Sequence, residues 1–330
     1  MNLRSRLNAL VPRPGRFRAG LLMTAAVATA SAGILAAPAP AFANSHNPSW
    51  PSKLVLGEVG AENSTTLLAS LAPVKQAMQK ELGIDLEVTT GTSYASMIEA
   101  QQAGKAQLVG YGPFSYYIAK NVQHLKIRDI GILITAPHTD GGYYSEAVTN
   151  PKLNPQIKSL KDAKGKKVCF SDPASTSGYL YPSYGLLKVG ISPTKGVTPV
   201  FTGTDTSTAL TASKGGCQIG FTNDLSLPPA EASHAINKAD AKVIWRGPEI
   251  PGNPVAISDS VPASLQSAME NFLVQKANSG WLTKHGYCTS VAKCTKIMGG
   301  WGYANPKVAN FNKIKQVCAL TKSPSCSKAS

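Results

Sequence analysis

Acidic residues are scarce in this chain of 330 residues, where 18 Asp and Glu stand against 33 Lys and Arg for a formal net charge of +15. A positive charge favours acidic partners and speeds the capture of anions. The sequence lacks any helix-turn-helix, zinc-finger or RNA-binding signature. Apart from residues 161–167 and the C-terminal tail, its lysines are spread along the chain. Nucleic acid is therefore not the expected partner.

Motifs that mark common enzyme classes are also missing. The chain has no G-x-G-x-x-G after a strand, no P-loop, no H-E-x-x-H and no G-x-S-x-G. Hydroxyls that could act as nucleophiles occur at Ser175, Thr176 and Ser177, but no histidine or lysine is poised beside them in sequence to activate them. We expect a protein that is not an enzyme and that uses no cofactor.

The six cysteines are typical of an exported protein with disulfide bonds. No C-x-x-C occurs and the five histidines do not cluster with the cysteines, so we expect no metal site. Many pairings are possible for six cysteines. We favour Cys169–Cys217, which joins two strand-like segments, and the close pairs Cys288–Cys294 and Cys318–Cys326.

The N-terminus predicts export. Five arginines and no acidic residue precede an apolar stretch at residues 20–37, and Ala41-Phe42-Ala43 matches a cleavage site. No adjacent arginine pair and no cysteine near the cleavage site occur, which favours the general secretion route without a lipid anchor. We expect a signal peptide at residues 1–43 and a periplasmic or secreted chain 44–330 with a net charge of 15 − 5 = +10.

Strand-like and helix-like segments alternate along the chain, which predicts an α/β fold with mostly parallel sheets flanked by helices. The predicted strands span residues 53–57, 85–89, 108–110, 130–136, 143–148, 167–170, 198–201, 217–221 and 241–246. The predicted helices span residues 63–82, 94–104, 114–121, 175–189, 206–214, 262–278 and 306–320.

The segment 171–179, Ser-Asp-Pro-Ala-Ser-Thr-Ser-Gly-Tyr, lies between a predicted strand and a predicted helix. The first amides of a helix lack intrahelical partners and carry partial positive charge, so such a turn can bind an anion. Its three consecutive hydroxyl residues add donors without adding net charge. The alternative is that one of these hydroxyls only caps the helix.

Five segments in order resemble the phosphate-, phosphite- and phosphonate-binding subunits of ATP-driven importers, which are type II periplasmic binding proteins. These segments are residues 92–98, 110–116, 171–179, 220–224 and 245–251. The resemblance covers about residues 54–272. It implies two lobes joined by two hinge strands: lobe I at 44–143, lobe II at 144–246, and 247–330 returning to lobe I with a C-terminal extension.

The resemblance also implies a function and a ligand site. The chain should capture a small phosphorus oxyanion (phosphonate, phosphite or phosphate) in the cleft between the lobes and, as a monomer, deliver it to a membrane permease. Ser175, Thr176 and Ser177 would grip the oxyanion, while Tyr94 and Tyr116 would close on it from the first lobe. A binder of sulfate or a sulfonate, or a ligand-sensing partner of a signalling receptor, is the alternative.

One departure from the family concerns Asp205, which stands where the family often has a histidine. Asp205 could simply cap the following helix. If it faces the ligand together with Asp224, the pair would favour an aminoalkylphosphonate. A lone acid that accepts a hydrogen bond would select a singly protonated phosphate or phosphite.

Overall fold

The structure, a computed structural model, describes residues 47–59, 64–139 and 142–327. The predicted signal peptide at residues 1–43 lies outside this part of the chain. In the described residues, no helix has both the length and the apolar character needed to cross a membrane.

Eleven strands and ten α-helices form this part of the chain, connected by short 3-10 and π turns. The strands are β1 (Lys53–Val59), β2 (Asp85–Gly91), β3 (Leu108–Gly110), β4 (Ile127–Ile134), β5 (Tyr143–Thr149), β6 (Lys167–Phe170), β7 (Thr198–Phe201), β8 (Ile219–Asn223), β9 (Lys242–Ile250), β10 (Pro254–Ser258) and β11 (Gly302–Ala304). The helices are α1 (Ser64–Leu82), α2 (Tyr94–Gln102), α3 (Pro113–Tyr117), α4 (Tyr181–Lys188), α5 (Asp205–Ser213), α6 (Leu227–Ala232), α7 (Ala263–Gln275), α8 (Ser279–Lys284), α9 (Val291–Met298) and α10 (Asn312–Thr321).

Two separate sheets organise the molecule. The first lobe contains a six-stranded sheet in the order β11-β4-β10-β3-β1-β2, and the second lobe a five-stranded sheet in the order β7-β6-β8-β5-β9. The chain enters the second sheet at β5 and leaves it from β9, and these two strands pair antiparallel along their length. The α/β fold with two sheets flanked by helices is thus confirmed.

The expectation of mostly parallel sheets is wrong in detail, because both sheets are mixed. Strand β1 pairs in parallel with β2 and β3, but β10 and β11 run antiparallel to their neighbours. In the second sheet β6 is parallel to β7 and β8, whereas β5 is antiparallel to β8 and β9. Parallel neighbours need a crossover connection, usually a helix, whereas β5 and β10 are each reached by a short loop directly from a strand of the other sheet.

Apolar side chains on both faces of each sheet pack against the flanking helices. In the first lobe Leu54 and Leu108 of the sheet meet Met78 of α1 and Phe272 of α7, all buried. The second lobe is built around the stacked rings of Phe170 and Phe221, whose centroids lie 5.3 Å apart. Burial of these faces supplies the main favourable free energy of folding.

The three predicted disulfides are confirmed. Cys169–Cys217 joins the end of β6 to the segment before β8, while Cys288–Cys294 and Cys318–Cys326 close short loops. The described residues contain no free cysteine.

Two predicted helices begin later than expected, because their first residues form turns and not regular α-helix. The predicted helix 175–189 begins as a π turn at Thr176–Leu180 before α4, and the predicted helix 306–320 begins only at Asn312, after a 3-10 turn at Pro306–Val308. Strands β10 and β11 and helices α6, α8 and α9 were not predicted.

Candidate functional site

The turn that follows β6 is held rigid by its own side chains. Asp172 Oδ1 accepts a 2.7 Å hydrogen bond from the Ala174 amide, and Ser175 Oγ accepts one of 3.0 Å from the Gly178 amide. Ser175 therefore caps the turn, which is the alternative role considered for these hydroxyls. Thr176 and Ser177 are buried and follow at the start of the π turn. We call residues 175–178 the gripping turn.

Thr176 reaches across to the first lobe. Its Oγ1 atom accepts a 2.9 Å hydrogen bond from the Phe114 amide at the start of α3. Gly112 permits this approach, because a Cβ atom there would lie 3.1 Å from Thr176 Oγ1 and 3.5 Å from the Tyr94 hydroxyl. The Thr176 and Tyr94 hydroxyls thus lie on the same side of this loop.

Ser177 connects the gripping turn to Asp205. The Ser177 hydroxyl donates a 2.6 Å hydrogen bond to Asp205 Oδ2, which also accepts one from the side-chain amide of Asn223. Burial raises the pKa of Asp205, while the neighbouring hydroxyls and the Asn223 amide pull it back down. Within the described residues, Asp205 Oδ1 is buried and lacks a well-aligned hydrogen-bond partner. The structure therefore places Asp205 in the hydroxyl cluster as well as at the start of α5.

Two tyrosines complete the cluster. Tyr143 at the start of β5 is buried, and the Thr176 and Ser177 hydroxyls lie close enough to its own hydroxyl to lower its pKa. The effect of burial is larger than the effect of these two hydroxyls, so the pKa of Tyr143 is raised above its ordinary value. The pKa of Tyr94 is likewise raised by burial, with Tyr143 and Asp205 as further causes. Both phenols stay protonated at neutral pH, so they can donate to an oxyanion.

Helix N-termini from both lobes converge on these hydroxyls. Ser93 caps α2, and Thr204 caps α5, so Tyr94 and Asp205 are each the first residue of a helix. The Tyr94 amide donates a 3.3 Å hydrogen bond to Asp172 Oδ2 across the lobes. Among the described residues, the amides of Thr176 and Ser177 have no acceptor. Unpaired amides at a helix start attract anions.

Charge in this cluster is unusual for an anion site. No lysine, arginine or histidine of the described residues takes part in its hydrogen bonds, whereas two carboxyls, Asp172 and Asp205, do. An anion bound here would therefore be held by neutral hydroxyls and amides. The described residues also bring together no group of three or more His, Cys, Asp or Glu side chains that could hold a metal ion.

The structure does not bring Tyr116 into this cluster. Its hydroxyl donates a 2.8 Å hydrogen bond to Asp129 Oδ1 and accepts one of 2.9 Å from Lys120. Its ring packs against Phe311, with centroids 5.5 Å apart. Tyr116 thus points into the first lobe, because it lies one turn beyond the start of α3.

Asp224 is also occupied elsewhere. Its carboxylate accepts a 2.8 Å hydrogen bond from the Tyr144 amide and pairs with Arg246 at 2.6 Å. Arg246 also lies 4.0 Å from the centre of the Tyr144 ring. Asp224 therefore stabilises the pairing of β5 with its neighbours and does not form a pair with Asp205.

Sequence reasoning missed Tyr143, Asn223 and Glu58. Tyr143 lies on β5 and Asn223 on β8, and neither residue was assigned to the ligand site from the sequence. Glu58, near the end of β1, lines a cavity of about 140 Å³ together with Tyr94, Asn253 and Tyr303. Burial raises its pKa to about 7. An acidic residue within an apolar strand pattern was the available signal.

The chain is similar to known proteins over most of its length. Residues 56–305 match the family model of the periplasmic substrate-binding protein of phosphonate ABC transporters. The chain is 30% identical over 285 residues to the phosphate-import protein PhnD of Mycolicibacterium smegmatis, covering 84% of this chain and 88% of that protein.

Solved structures show the same fold. The binding protein of an ABC phosphonate transporter from Pseudomonas aeruginosa superposes with a TM-score of 0.69 at 21% identity, covering 82% of this chain and 86% of that one. PhnD1 from Prochlorococcus marinus, in complex with methylphosphonate, gives a TM-score of 0.68 at 17% identity, covering 83% and 99%. The chain belongs to the family of periplasmic substrate-binding proteins of phosphonate ABC transporters.

Proposed function

We propose that this protein binds a singly protonated phosphorus oxyanion in the cleft between its lobes and delivers it to a membrane permease. The observation that carries the proposal is the convergence of hydroxyls from both lobes on the gripping turn. Tyr94 belongs to the first lobe, Tyr143 begins the second, and Thr176 and Ser177 supply the turn itself. A ligand held by all four would favour the arrangement in which the lobes meet.

Asp205 supports the choice of a protonated ligand. A carboxylate beside the donors repels a fully ionised dianion but accepts a hydrogen bond from a P–O–H group. Phosphate carries such a proton at neutral pH, even as a dianion. The singly ionised form of a phosphonate carries one as well, and this form is still partly populated somewhat above the second ionisation of a phosphoryl group near pH 6. Sulfate does not carry one. The site should therefore prefer phosphorus oxyanions to sulfate.

The remaining parts of the proposal concern location and partners. We infer that residues 1–43 direct export and are removed, so that the protein acts outside the cytoplasm as a monomer. The disulfides support an oxidising compartment. The lobe boundaries near residues 143 and 246 would place β5 and β9 at the hinge, where the chain crosses between the sheets.

Calorimetric titration of residues 44–330 tests the proposal. The ligands are phosphate, phosphite, methylphosphonate, 2-aminoethylphosphonate and sulfate, after removal of carried-over ligand by partial unfolding and refolding. We expect tight binding of a phosphorus oxyanion that is lost in a Thr176→Val/Ser177→Ala double variant. Ser183→Ala, which removes a buried hydroxyl one turn further along α4, is the matched control and should bind normally.

Two results would contradict the proposal. Binding of sulfate in preference to every phosphorus compound would refute the choice of ligand. Binding that survives the double variant would place the site elsewhere in the cleft.

A further inference from the structure

A segment that we call the C-terminal strap, residues 311–327, contacts both lobes. Its helix α10 packs against α3 of the first lobe and against α4 and the π turn Thr176–Leu180 of the second. The buried strap residues Ile314, Val317 and Cys318 belong to one apolar cluster with side chains of both lobes. From the first lobe these include Ile98, Phe114 and Ile118, and from the second Ala174, Leu180 and Tyr181.

The end of the strap lies over the same junction. Pro324 and Ser325 line a groove of about 690 Å³ whose other walls come from α2 and the turn after α3 in the first lobe and from Asp172–Ala174 in the second. The Cys318–Cys326 disulfide ties this end to α10. The strap therefore crosses the junction as one connected unit, directly behind the gripping turn.

Opening of the cleft must disturb this arrangement. If the lobes rotate apart, α10 can stay with one lobe only, and apolar side chains that now lie between α10 and the other lobe become exposed to water. Across the cleft itself, the described residues make only two hydrogen bonds between the lobes, from Tyr94 to Asp172 and from Phe114 to Thr176. The strap is thus a major apolar connection between the lobes outside the hinge.

We propose that the C-terminal strap is a clasp that favours the closed arrangement of the lobes and slows release of the bound oxyanion. The family model matches residues 56–305, so the strap lies outside the matched residues. Its disulfide keeps the last turn from detaching from α10, because the cross-link limits the conformations that the end can reach. The claim about ligand release depends on the proposed function; the claim about the lobes does not.

Two strap variants test the clasp. Val317→Ala removes apolar contact at the junction, and Cys318→Ser/Cys326→Ser releases the end of the strap. The matched controls are Leu320→Ala, an exposed residue on the same helix, and Cys288→Ser/Cys294→Ser, a short disulfide loop of the first lobe. Small-angle X-ray scattering of the ligand-free proteins reports how far the lobes are apart, and stopped-flow displacement of bound phosphate or phosphonate reports release.

We expect the strap variants to show a larger radius of gyration without ligand and to release ligand about tenfold faster, a size typical of coupling between sites. Both controls should scatter and release like the parent protein. Circular dichroism and melting temperatures identify any variant that fails to fold. If one strap variant fails, the other strap variant is used for the test.

The clasp proposal is overturned if folded strap variants keep the parent's scattering and release rate, even when their melting temperature falls. A parent protein that binds no phosphorus oxyanion overturns the proposed function instead. In that case the ligand-free scattering still decides whether the strap holds the lobes together.

Discussion

The Thr176 hydroxyl of the second lobe accepts a 2.9 Å hydrogen bond from the Phe114 amide of the first. Each of these groups stands at the start of a helical segment, so the contact joins two positive helix ends across the cleft. An anion placed between them would be stabilised by both. A ligand bound there would therefore be coupled through these atoms to the contact between the lobes.

The first prediction concerns this contact. Thr176→Val keeps the shape of the side chain but removes both the acceptor for the Phe114 amide and a donor for the ligand. Because a hydrogen bond to a charged group contributes about 2 kcal/mol, we expect affinity for the phosphorus oxyanion to fall by about thirtyfold. Calorimetry measures the loss, with Thr211→Val on the outer part of α5 as the control. Equal affinities for Thr176→Val and the parent would remove Thr176 from the site.

The second prediction concerns ligand choice. In Asp205→Asn the acceptor of the P–O–H proton is replaced by an amide that can also donate, and the negative charge is gone. Phosphate affinity should fall about tenfold or more, and sulfate affinity should rise, because the repulsion of a full dianion is removed. Competition titration at one pH gives the ratio of the two affinities. If that ratio does not change, Asp205 only holds Ser177 and Asn223 in place, since Thr204 and not Asp205 caps α5.

The sequence was informative where function depends on consecutive residues and less so where it depends on distant ones. The gripping turn could be recognised because strand, turn and helix start are contiguous. Asn223 could not be assigned, since it reaches Asp205 from a strand 18 residues later whose register the sequence does not determine. Tyr116 was assigned to the site because the family pattern suggested it, but α3 turns the Tyr116 side chain towards Asp129.

The same limit applies to the fold. Alternating strands and helices were predictable from local periodicity, and the disulfide pairs from spacing along the chain. Strand β10 was missed, although it lies between β3 and β4, because its pairing forms only after the chain has returned from the other lobe. The position of the strap between the lobes is likewise set by packing of distant residues and not by local pattern.

The third prediction concerns Glu58 and pH. Its pKa is raised from 4.5 to about 7 by burial, so the folded protein binds more protons here than the unfolded chain between those values. The stability that the neutral carboxyl provides is complete below about pH 4.5 and is lost as pH rises through 7. Glu58→Gln should thus be more stable than the parent at pH 8, by about 2 kcal/mol once partial exposure is allowed for, and closer to it at pH 5.

Urea unfolding at pH 5, 6.5 and 8 measures this difference, and Glu87→Gln serves as the control because Glu87 is an exposed residue on β2. A stability gain for Glu58→Gln that is the same at all three pH values would show that Glu58 does not titrate in this range.

The last prediction compares two disulfides. Cys169–Cys217 closes a loop with a sequence separation of 48, and Cys288–Cys294 one of 6. A cross-link restricts the unfolded chain more when its loop is longer, so loop entropy gives about 4 kcal/mol for the first bond and about 2 kcal/mol for the second. Paired Cys→Ala variants unfolded in urea should therefore differ by about 2 kcal/mol. The gap should close when the parent and both variants are compared under reducing conditions, because no cross-link then remains. A larger loss from removal of the short loop would mean that native packing around Cys294, and not loop entropy, determines the contribution of these bonds.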